Sequence, residues 1–334
     1  MKTFNQLTPL GKLRRQGSNS RAALRQYDLD IKRVDLIGKD TNLIYRVTAT
    51  NGRCYALRLA YPGWRKRENA VSEVMWLDAL ARETDIPVPS IVRAKNGSGV
   101  VDACAKGSDL SQHALLMTWL PGVPLGKRLT EENLSKMGDL FGRMHLHAET
   151  WKPPTGFSDD RFDRFMSHGE APVLFDKSSL KPFSARQRGA IVTMRDIVEA
   201  AYAAMNPTDM RVIHCDLWHD NIMLHNGVLT PFDFEDTIWG YRIHDLAMAM
   251  LDLIESVGLA RYGTLLPIFK EAYERRMPWP QEDLGVFQMG RELWRLNWIA
   301  QNKPEALAKE VGFCAGLFER FEETGELCGP PPAE

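Results

Sequence analysis

One polar loop between two short apolar segments constrains the fold of this chain more than any other feature. The loop runs from His214 to Asn221 and reads His-Cys-Asp-Leu-Trp-His-Asp-Asn. Strand-like segments flank it at 211–214 and 228–233, and Phe-Glu-Asp follows directly at 234–236. Short runs rich in branched residues and bounded by polar turns predict strands. We therefore expect Asp216, Asn221 and Asp233 to lie in turns beside two short strands.

The spacing of these three residues predicts a division of tasks. In a His-x-Asp-x-x-x-x-Asn loop, Asp216 can accept a proton from a hydroxyl group, while Asn221 offers an amide oxygen to a metal ion. Asp233, at the end of the next strand, can complete the metal site. Mg²⁺ prefers oxygen ligands and usually shares them with substrate phosphates. These are the groups that kinases use for phosphoryl transfer.

The first part of the chain carries strand signals. Leu43–Ala49 alternates between apolar and polar residues, Asn51-Gly52 is typical of a tight hairpin turn, and Tyr55–Leu59 reads as the return strand. The pattern therefore predicts an antiparallel meander. Further segments of the first 120 residues predict a helix at 68–82, a hairpin formed by 91–93 and 100–103, and a buried strand at 113–119.

Helical periodicity dominates after residue 130. Thr130–Glu149 is amphipathic, a helix is predicted at about 185–205, and the pattern from Ile243 onward is helical. Strands followed by helices indicate an α+β protein of two lobes. We predict an N-terminal lobe at 1–122, a C-terminal lobe at 123–328 and a disordered tail at 329–334.

Composition restricts the class of protein. Hydrophobic residues make up 44% and charged residues 25% of the chain, which is the mix of an average globular protein. No stretch approaches the ~18 apolar residues of a membrane helix, and no secretory signal is visible. The five cysteines are scattered and form no Cys-x-x-Cys pair, so we expect a reducing cytoplasm.

Charge is balanced over the whole chain but not between its parts. The net charge of −1 argues against a general nucleic-acid binder. Residues 205–334 contain 21 Asp+Glu and 11 Lys+Arg, a net of −10, and the remainder is therefore +9. The two parts could be solvated surfaces that attract each other. Alternatively, the first holds an anion site and the second a cation or metal site.

The sequence resembles the aminoglycoside phosphotransferase and choline kinase-like superfamily, whose members are distant relatives of protein kinases. The resemblance runs from about Asp35 to Leu253, and its most specific parts are the motifs around Asp216 and Asp233. The segment from Asp233 to Arg242 is similar to homoserine-kinase-like and stress-response-kinase-like members. The resemblance to this superfamily implies a bilobal protein-kinase-like fold with a small sheet lobe and a larger helical lobe.

The resemblance also implies roles for single residues. Asp216 matches the catalytic base, and Asn221 and Asp233 match the Mg²⁺ ligands. Arg58 matches the phosphate-binding cation, and Glu73 the acid that pairs with it. The other implied nucleotide contacts are the backbones of Thr118 and Leu120, on the hinge, and the loop Gly38–Asn42. The implied cofactors are Mg²⁺ and ATP, or GTP, as phosphoryl donor.

Several features depart from protein kinases. There is no G-x-G-x-x-G loop, Cys215 replaces the usual Arg, and Asp-Phe-Glu replaces Asp-Phe-Gly. A small hydroxyl-bearing acceptor is therefore expected, and the acidic second lobe with Glu235 and Asp236 favours an amine-bearing one. Homoserine, choline, ethanolamine, amino sugars and aminoglycosides all satisfy this description.

Alternative functions remain open at the level of sequence. A stress-response-type protein Ser/Thr kinase and an inactive nucleotide-binding module are the two alternatives to a small-molecule kinase. Asp236 could bind metal, bind substrate or cap a turn. Zinc binding by His214, Cys215 and His219 lacks a fourth ligand. The sequence does not define an oligomeric state.

Overall fold

The computed structural model describes residues 3–39, 41–106, 110–166, 170–181 and 183–324. The predicted tail at 329–334 and Asp40 of the predicted loop lie outside these residues. After one N-terminal helix, strands dominate the first 120 residues and helices dominate the rest, where short strands also occur. The helices are α1 (Pro9–Leu24), α2 (Arg67–Glu83), α3 (Glu131–Thr150), α4 (Lys177–Leu180), α5 (Ala185–Ala204), α6 (Arg242–Val257), α7 (Leu259–Glu274), α8 (Leu284–Asn302) and α9 (Leu307–Thr324). The strands are β1 (Ile31–Lys39), β2 (Asn42–Ala49), β3 (Cys54–Ala60), β4 (Val100–Ala103), β5 (Gln112–Thr118), β6 (Val123–Pro124), β7 (Arg211–Ile213), β8 (Ile222–His225), β9 (Val228–Pro231) and β10 (Ile238–Gly240).

The chain forms two compact units. The first unit comprises residues 1–123, 152–158 and 223–236, and the second comprises 124–151, 159–222 and 237–334. The predicted division at 122–123 is close to the first boundary, but the units are not continuous in sequence. As a result, Asp233 belongs to the first unit and Asp216 to the second.

A five-stranded antiparallel sheet organises the first unit, in the order β1-β2-β3-β5-β4. The predicted meander is present, and Gly52 in its turn has a φ of 81°, which glycine adopts without strain. The predicted strand at 91–93 is wrong. Ile91 makes only an isolated bridge to Met117, and β4 pairs instead with β5. The segment 91–93 lies beside the end of β5, where Val92 N–H donates to the carbonyl of Leu116 at 2.8 Å, but it is too short to form a ladder there.

Helix α2 belongs to the same unit and carries an acidic residue on its buried side. Ser72, Glu73, Trp76 and Leu80 of this helix are all fully buried, and the Trp76 ring packs edge-on against Phe234 at 5.4 Å between centroids. Glu73 lies three residues before Trp76 and so on the same face. The packing that buries the indole therefore also fixes the position of the Glu73 carboxylate.

Helices build the core of the second unit. The apolar faces of α5, α6, α8 and α9 meet around Met194, Leu251, Leu293 and Phe318, while α3 packs against α7. Strands β7 and β10 form a short antiparallel pair beside this core. Within the described ranges, no helix combines the length and apolarity that a membrane span requires.

Candidate active site

A buried ion pair lies at the centre of the first unit. Arg58 of β3 contacts Glu73 of α2, and the residues are 4% and 0% exposed. Burial would lower the pKa of Arg58, but the charges of Glu73, Glu235 and Asp233 raise it above its usual value. The guanidinium is therefore a permanent cation. Because removal of one partner leaves a buried charge uncompensated, this pair is sensitive to substitution.

Asp233 lies next to this pair. Its Oδ1 accepts a hydrogen bond from Arg58 Nη1 at 3.2 Å, and its side chain keeps 39% of its surface exposed. Partial burial and then the charge of Glu235 raise the pKa of Asp233 to about 7, against the opposing charge of Arg58. Asp233 also has a φ of 64°, a conformation uncommon for a residue other than glycine. Such backbone strain is frequent where a side chain must be aimed at a functional position.

The two acidic residues that follow Asp233 have partners within the first unit. Asn42 donates a hydrogen bond to Glu235, which also lies 3.9 Å from Arg58 Nε. Arg65 binds Asp236, with Nε at 2.7 Å from Oδ1. Since both carboxylates are engaged in this way, their position gives no support to the expectation that they attract an amine of the acceptor. For Asp236, the structure shows an ion pair with Arg65.

An apolar cavity of about 260 Å³ borders Arg58 and Asp233. Its volume is near the lower end of the ~300–1,000 Å³ typical of small-molecule sites. Largely apolar walls that also include a cation and a carboxylate suit an apolar base that carries a charged tail. All lining residues belong to the first unit; they are Ile37, Ile44, Ala56, Arg58, Pro89, Met117, Thr118, Trp119, Leu120, Met223, Phe232 and Asp233.

The predicted hinge residues Thr118 and Leu120 both line this cavity. The N–H of Thr118 already donates to the carbonyl of Ser90 at 2.9 Å, so only its carbonyl could serve a ligand. Gly122, two residues after Leu120, has a φ of 105°, and a Cβ at this position would collide with the carbonyl of Leu224. Only glycine fits at this close approach of two backbones.

The predicted catalytic loop belongs to the second unit. Asn221 Nδ2 donates to the backbone oxygen and to Oδ2 of Asp216, both at 2.8 Å. These bonds fix the orientation of both side chains. Among the residues that the structure describes, Asn221 Oδ1 has no hydrogen-bond partner and is available to a ligand.

A buried aspartate on α6 holds the start of this loop. Asp245 accepts hydrogen bonds from the backbone amides of His214 at 3.1 Å and Cys215 at 2.7 Å. His145 Nε2 lies 3.2 Å from its Oδ2, and the other ring nitrogen of His145 bonds Tyr273. Burial would raise the pKa of Asp245, but these histidine contacts lower it overall. The expected bracing role of Asp245 thus has a visible basis.

Sequence reasoning missed Arg291, which lies beside Asp216. Its Nη2 is 3.5 Å from Asp216 Oδ1, and the two side chains are 26% and 29% exposed. The residue is near the middle of α8, far from any motif, and helical periodicity carries no sign of its neighbour. The only signal in the sequence is that Arg291 is one of two cations on a largely apolar helix.

The carboxylate of Asp233 in the first unit and the amide oxygen of Asn221 in the second are each a type of ligand that hard divalent cations prefer. Asp233 is crowded by Glu235, so a bound cation would favour its ionised form. Within the described residues, no three His, Cys, Asp or Glu side chains converge as a complete metal site. Mg²⁺ commonly takes few protein ligands and completes its shell with phosphate oxygens and water.

The sequence and the fold were compared with those of known proteins. No curated protein matches the sequence. The microcompartment-associated aminopropanol kinase has a similar solved structure, with 21% identity, a TM-score of 0.76, and coverage of 91% of this chain and 97% of that chain. An amicoumacin kinase in complex with AMP-PNP and Ca²⁺ follows at 16% identity, a TM-score of 0.72, and coverage of 89% and 92%.

A spectinomycin phosphotransferase has 11% identity, a TM-score of 0.60, and coverage of 92% of this chain and 95% of that chain. These likenesses confirm the predicted kinase-like fold. The family model described as the phosphotransferase enzyme family matches residues 36–310, which confirms the resemblance found in the sequence. Since that match spans most of the chain, the protein belongs to the phosphotransferase enzyme family.

Proposed function

We propose that the protein transfers the γ-phosphoryl group of ATP, or GTP, to a hydroxyl group of a small molecule. The observation that carries this proposal is the buried pair of Arg58 and Glu73 with Asp233 at 3.2 Å, at the end of the apolar cavity. A purine base would occupy the cavity and contact Thr118 and Leu120. Its phosphates would extend toward Arg58, whose fixed charge offsets theirs.

Asp233 and Asn221 are the proposed Mg²⁺ ligands. The metal would neutralise phosphate charge and offset the charge that develops during transfer. Asn42 is proposed to support the nucleotide end of the site through Glu235, to which it donates a hydrogen bond. Because Glu235 in turn lies beside Arg58, this contact keeps the guanidinium in place.

Asp216 is the proposed base. The acceptor hydroxyl would donate a hydrogen bond to the carboxylate, which Asn221 and the Asp245-held backbone keep in one orientation. As the bond between the acceptor oxygen and the γ-phosphorus forms, the bond from that phosphorus to the leaving oxygen of the nucleoside diphosphate breaks. The proton of the hydroxyl passes to Asp216. Most of the rate enhancement would come from positioning and electrostatics.

The acceptor is proposed to be a small alcohol and not a protein. An aminopropanol kinase and antibiotic kinases are among proteins of similar structure, which supports a small acceptor that carries an amine. Cys54, Cys104, Cys215 and Cys314 form no disulfide within the described part of the chain, and a reducing cytoplasm is the proposed setting. No observation favours a binding module without activity, because Asp216, Asn221 and Asp233 are all present.

An acceptor panel tests this function. Release of nucleoside diphosphate from Mg-ATP and from Mg-GTP is measured with amino alcohols, amino sugars, polyols and hydroxy acids, beside a blank without acceptor. We expect release above the blank with at least one class of alcohol, and release that is ~10²–10⁴-fold slower from Asp216→Asn. Release that is equal with and without every acceptor, or unchanged by Asp216→Asn, would contradict the proposal.

A further inference from the structure

One face of α6 follows the catalytic loop along its length. Asp245 binds the backbone at His214 and Cys215, and the hydroxyl of Ser256 lies 3.0 Å from His219 Nε2. On an α-helix, a residue seven or eleven positions after Asp245 points in nearly the same direction around the helix axis, within about 20°. Asp252 is the residue at the first of these positions, and Ser256 is the residue at the second. Asp252 therefore lies between the two points that contact the loop, beside the stretch that contains Asp216.

The environment of the Asp252 carboxylate is short of partners in the described part of the chain. No hydrogen bond or ion pair to it exists among the residues that the structure describes. Burial raises its pKa to about 7, and the positive charge of Arg291 is the largest opposing influence. Glu255 and Glu292 raise the pKa further. A partly buried carboxylate in this condition gains from a cationic ligand, which would replace the lost water and keep it ionised.

Arg291 is positioned by a cation–π contact with Trp294. Its guanidinium lies 4.6 Å from the centroid of the Trp294 ring, and Trp294 Nε1 donates to Glu170 at 2.8 Å. No hydrogen bond from Arg291 to protein exists in the described part of the chain. Its donors are thus available in a fork that matches a carboxylate. The neighbouring Glu292 does not use them, because it binds Arg295 and Cys314.

We propose that Arg291 and Asp252 form an acceptor subsite for a short zwitterion, in which Arg291 binds a carboxylate and Asp252 an ammonium group while the hydroxyl lies at Asp216. The proposal deepens the proposed function and rests on it. Because Arg291 is 3.5 Å from Asp216, one short molecule can place a carboxylate on the guanidinium and a hydroxyl on Asp216. The bound anion would also draw Arg291 away from Asp216. Arg291 and Asp252 are specificity-determining residues in this scheme, and Asp216 remains the base.

Two matched series of ligands test the subsite. L-Homoserine carries all three groups, 3-amino-1-propanol lacks its carboxylate, and 4-hydroxybutyrate lacks its amine. L-Serine, ethanolamine and 3-hydroxypropionate form the same series with a shorter chain. Calorimetric titration of the full chain, with Mg-ADP present and absent, gives the dissociation constants. In at least one series we expect the zwitterion to bind about 10- to 100-fold more tightly than each truncated analogue, the range expected for a charge-assisted contact.

Variants assign each contact to its residue. Arg291→Met should remove the preference for the zwitterion over the amino alcohol, and Asp252→Asn its preference over the hydroxy acid. Arg275→Met is the matched control, because Arg275 directly follows α7 and lies 3.5 Å from Glu271 on the surface. Thermal unfolding of each variant checks that it folds. Arg291→Lys keeps the charge without the fork and should restore part of the preference.

The outcomes separate the two proposals. If the amino alcohols bind as tightly as the zwitterions in both series, or if Arg291→Met weakens all ligands equally, the subsite proposal is wrong, whatever the enzyme does with ATP. If the zwitterion preference holds but no acceptor releases nucleoside diphosphate, the proposed phosphoryl transfer is wrong and the subsite stands. Turnover with amino alcohols alone would support the proposed function and overturn the subsite.

Discussion

The backbone amide of Cys215 donates a hydrogen bond to Oδ1 of Asp245 over 2.7 Å, across an interval of thirty residues in sequence. Cys215 has a φ of 67°, a strained conformation for a residue with a side chain. The next residue is Asp216, so this conformation determines where the proposed base points. The buried carboxylate of Asp245 thereby stabilises a turn that the local sequence disfavours.

Asp245→Asn should reduce both stability and turnover. The substituted amide presents a donor to one of the amides of His214 and Cys215, or to His145, which leaves a buried polar group unsatisfied. Such a loss costs about 1–3 kcal/mol of unfolding free energy. Chemical denaturation and kcat measure the two effects, and Glu271→Gln on the exposed side of α7 is the control. A variant with normal kcat would show that Asp245 does not position Asp216.

Asp216→Asn should leave nucleotide binding intact while it lowers turnover by ~10²–10⁴-fold, the range for a positioned proton acceptor. Asp233→Asn should instead weaken Mg-ATP binding, because Asp233 is the proposed metal ligand. Calorimetric titration with Mg-ATP and turnover with an active acceptor compare the two variants. If Asp216 and not Asp233 proves necessary for Mg-ATP affinity, the two assignments are reversed.

Arg58→Ala should weaken both nucleotide binding and folding, because it leaves Glu73 buried without its partner. A buried pair broken on one side typically loses ~3–5 kcal/mol. Arg58→Lys keeps the charge and should retain part of the nucleotide affinity. The double variant Arg58→Met/Glu73→Leu removes both charges and should recover stability without nucleotide binding. Normal Mg-ATP affinity in that double variant would show that the pair is structural only.

Ala56→Phe should block nucleotide binding without unfolding the protein. Ala56 lines the 260 Å³ cavity, and a phenyl ring there would occupy the space proposed for the purine. We expect the dissociation constant for Mg-ATP to rise at least ~10-fold, equivalent to about 1.4 kcal/mol. Ala22→Phe on α1, outside the cavity, is the matched control. Unchanged Mg-ATP binding in Ala56→Phe would place the base elsewhere.

His113 should make the protein less stable in mild acid. Burial, and then the charges of Arg58 and Arg67, lower the pKa of His113 from 6.5 to about 4. Between pH 6.5 and pH 4, His113 is therefore protonated in the unfolded chain but not in the folded protein. The contribution of neutral His113 to stability is complete above pH 6.5 and is lost as the pH falls toward 4. The stability lost in this way is at most about 1.4 kcal/mol for each unit by which the pKa of His113 differs between the folded and unfolded states.

His113→Gln removes this group, so its melting temperature should fall less between pH 7 and pH 5 than that of the unaltered protein. His225→Gln is the control, because His225 is exposed. Equal acid sensitivity of the His113 variant and the unaltered protein would contradict the assignment.

The sequence by itself determined the strands of the first sheet, the helices of the second unit and the residues of the catalytic loop. These features are local: the period of two in 43–49, the turn at Asn51-Gly52 and the spacing from Asp216 to Asn221 all lie within a few residues. The two motifs together were enough to identify the family. Arg58 and Glu73 were matched through the resemblance, and the structure brings them into contact.

Only the tertiary structure decided which distant residues meet. It placed Asp233 in the unit of Arg58 and gave Glu235 and Asp236 their partners Asn42 and Arg65. It also reduced the strand predicted at 91–93 to an isolated bridge. It also brought Arg291 beside Asp216 from 75 positions farther along the chain. No local pattern encodes such contacts, because they arise from the packing of whole helices and strands, and the sequence of one helix does not record which residue of another will face it.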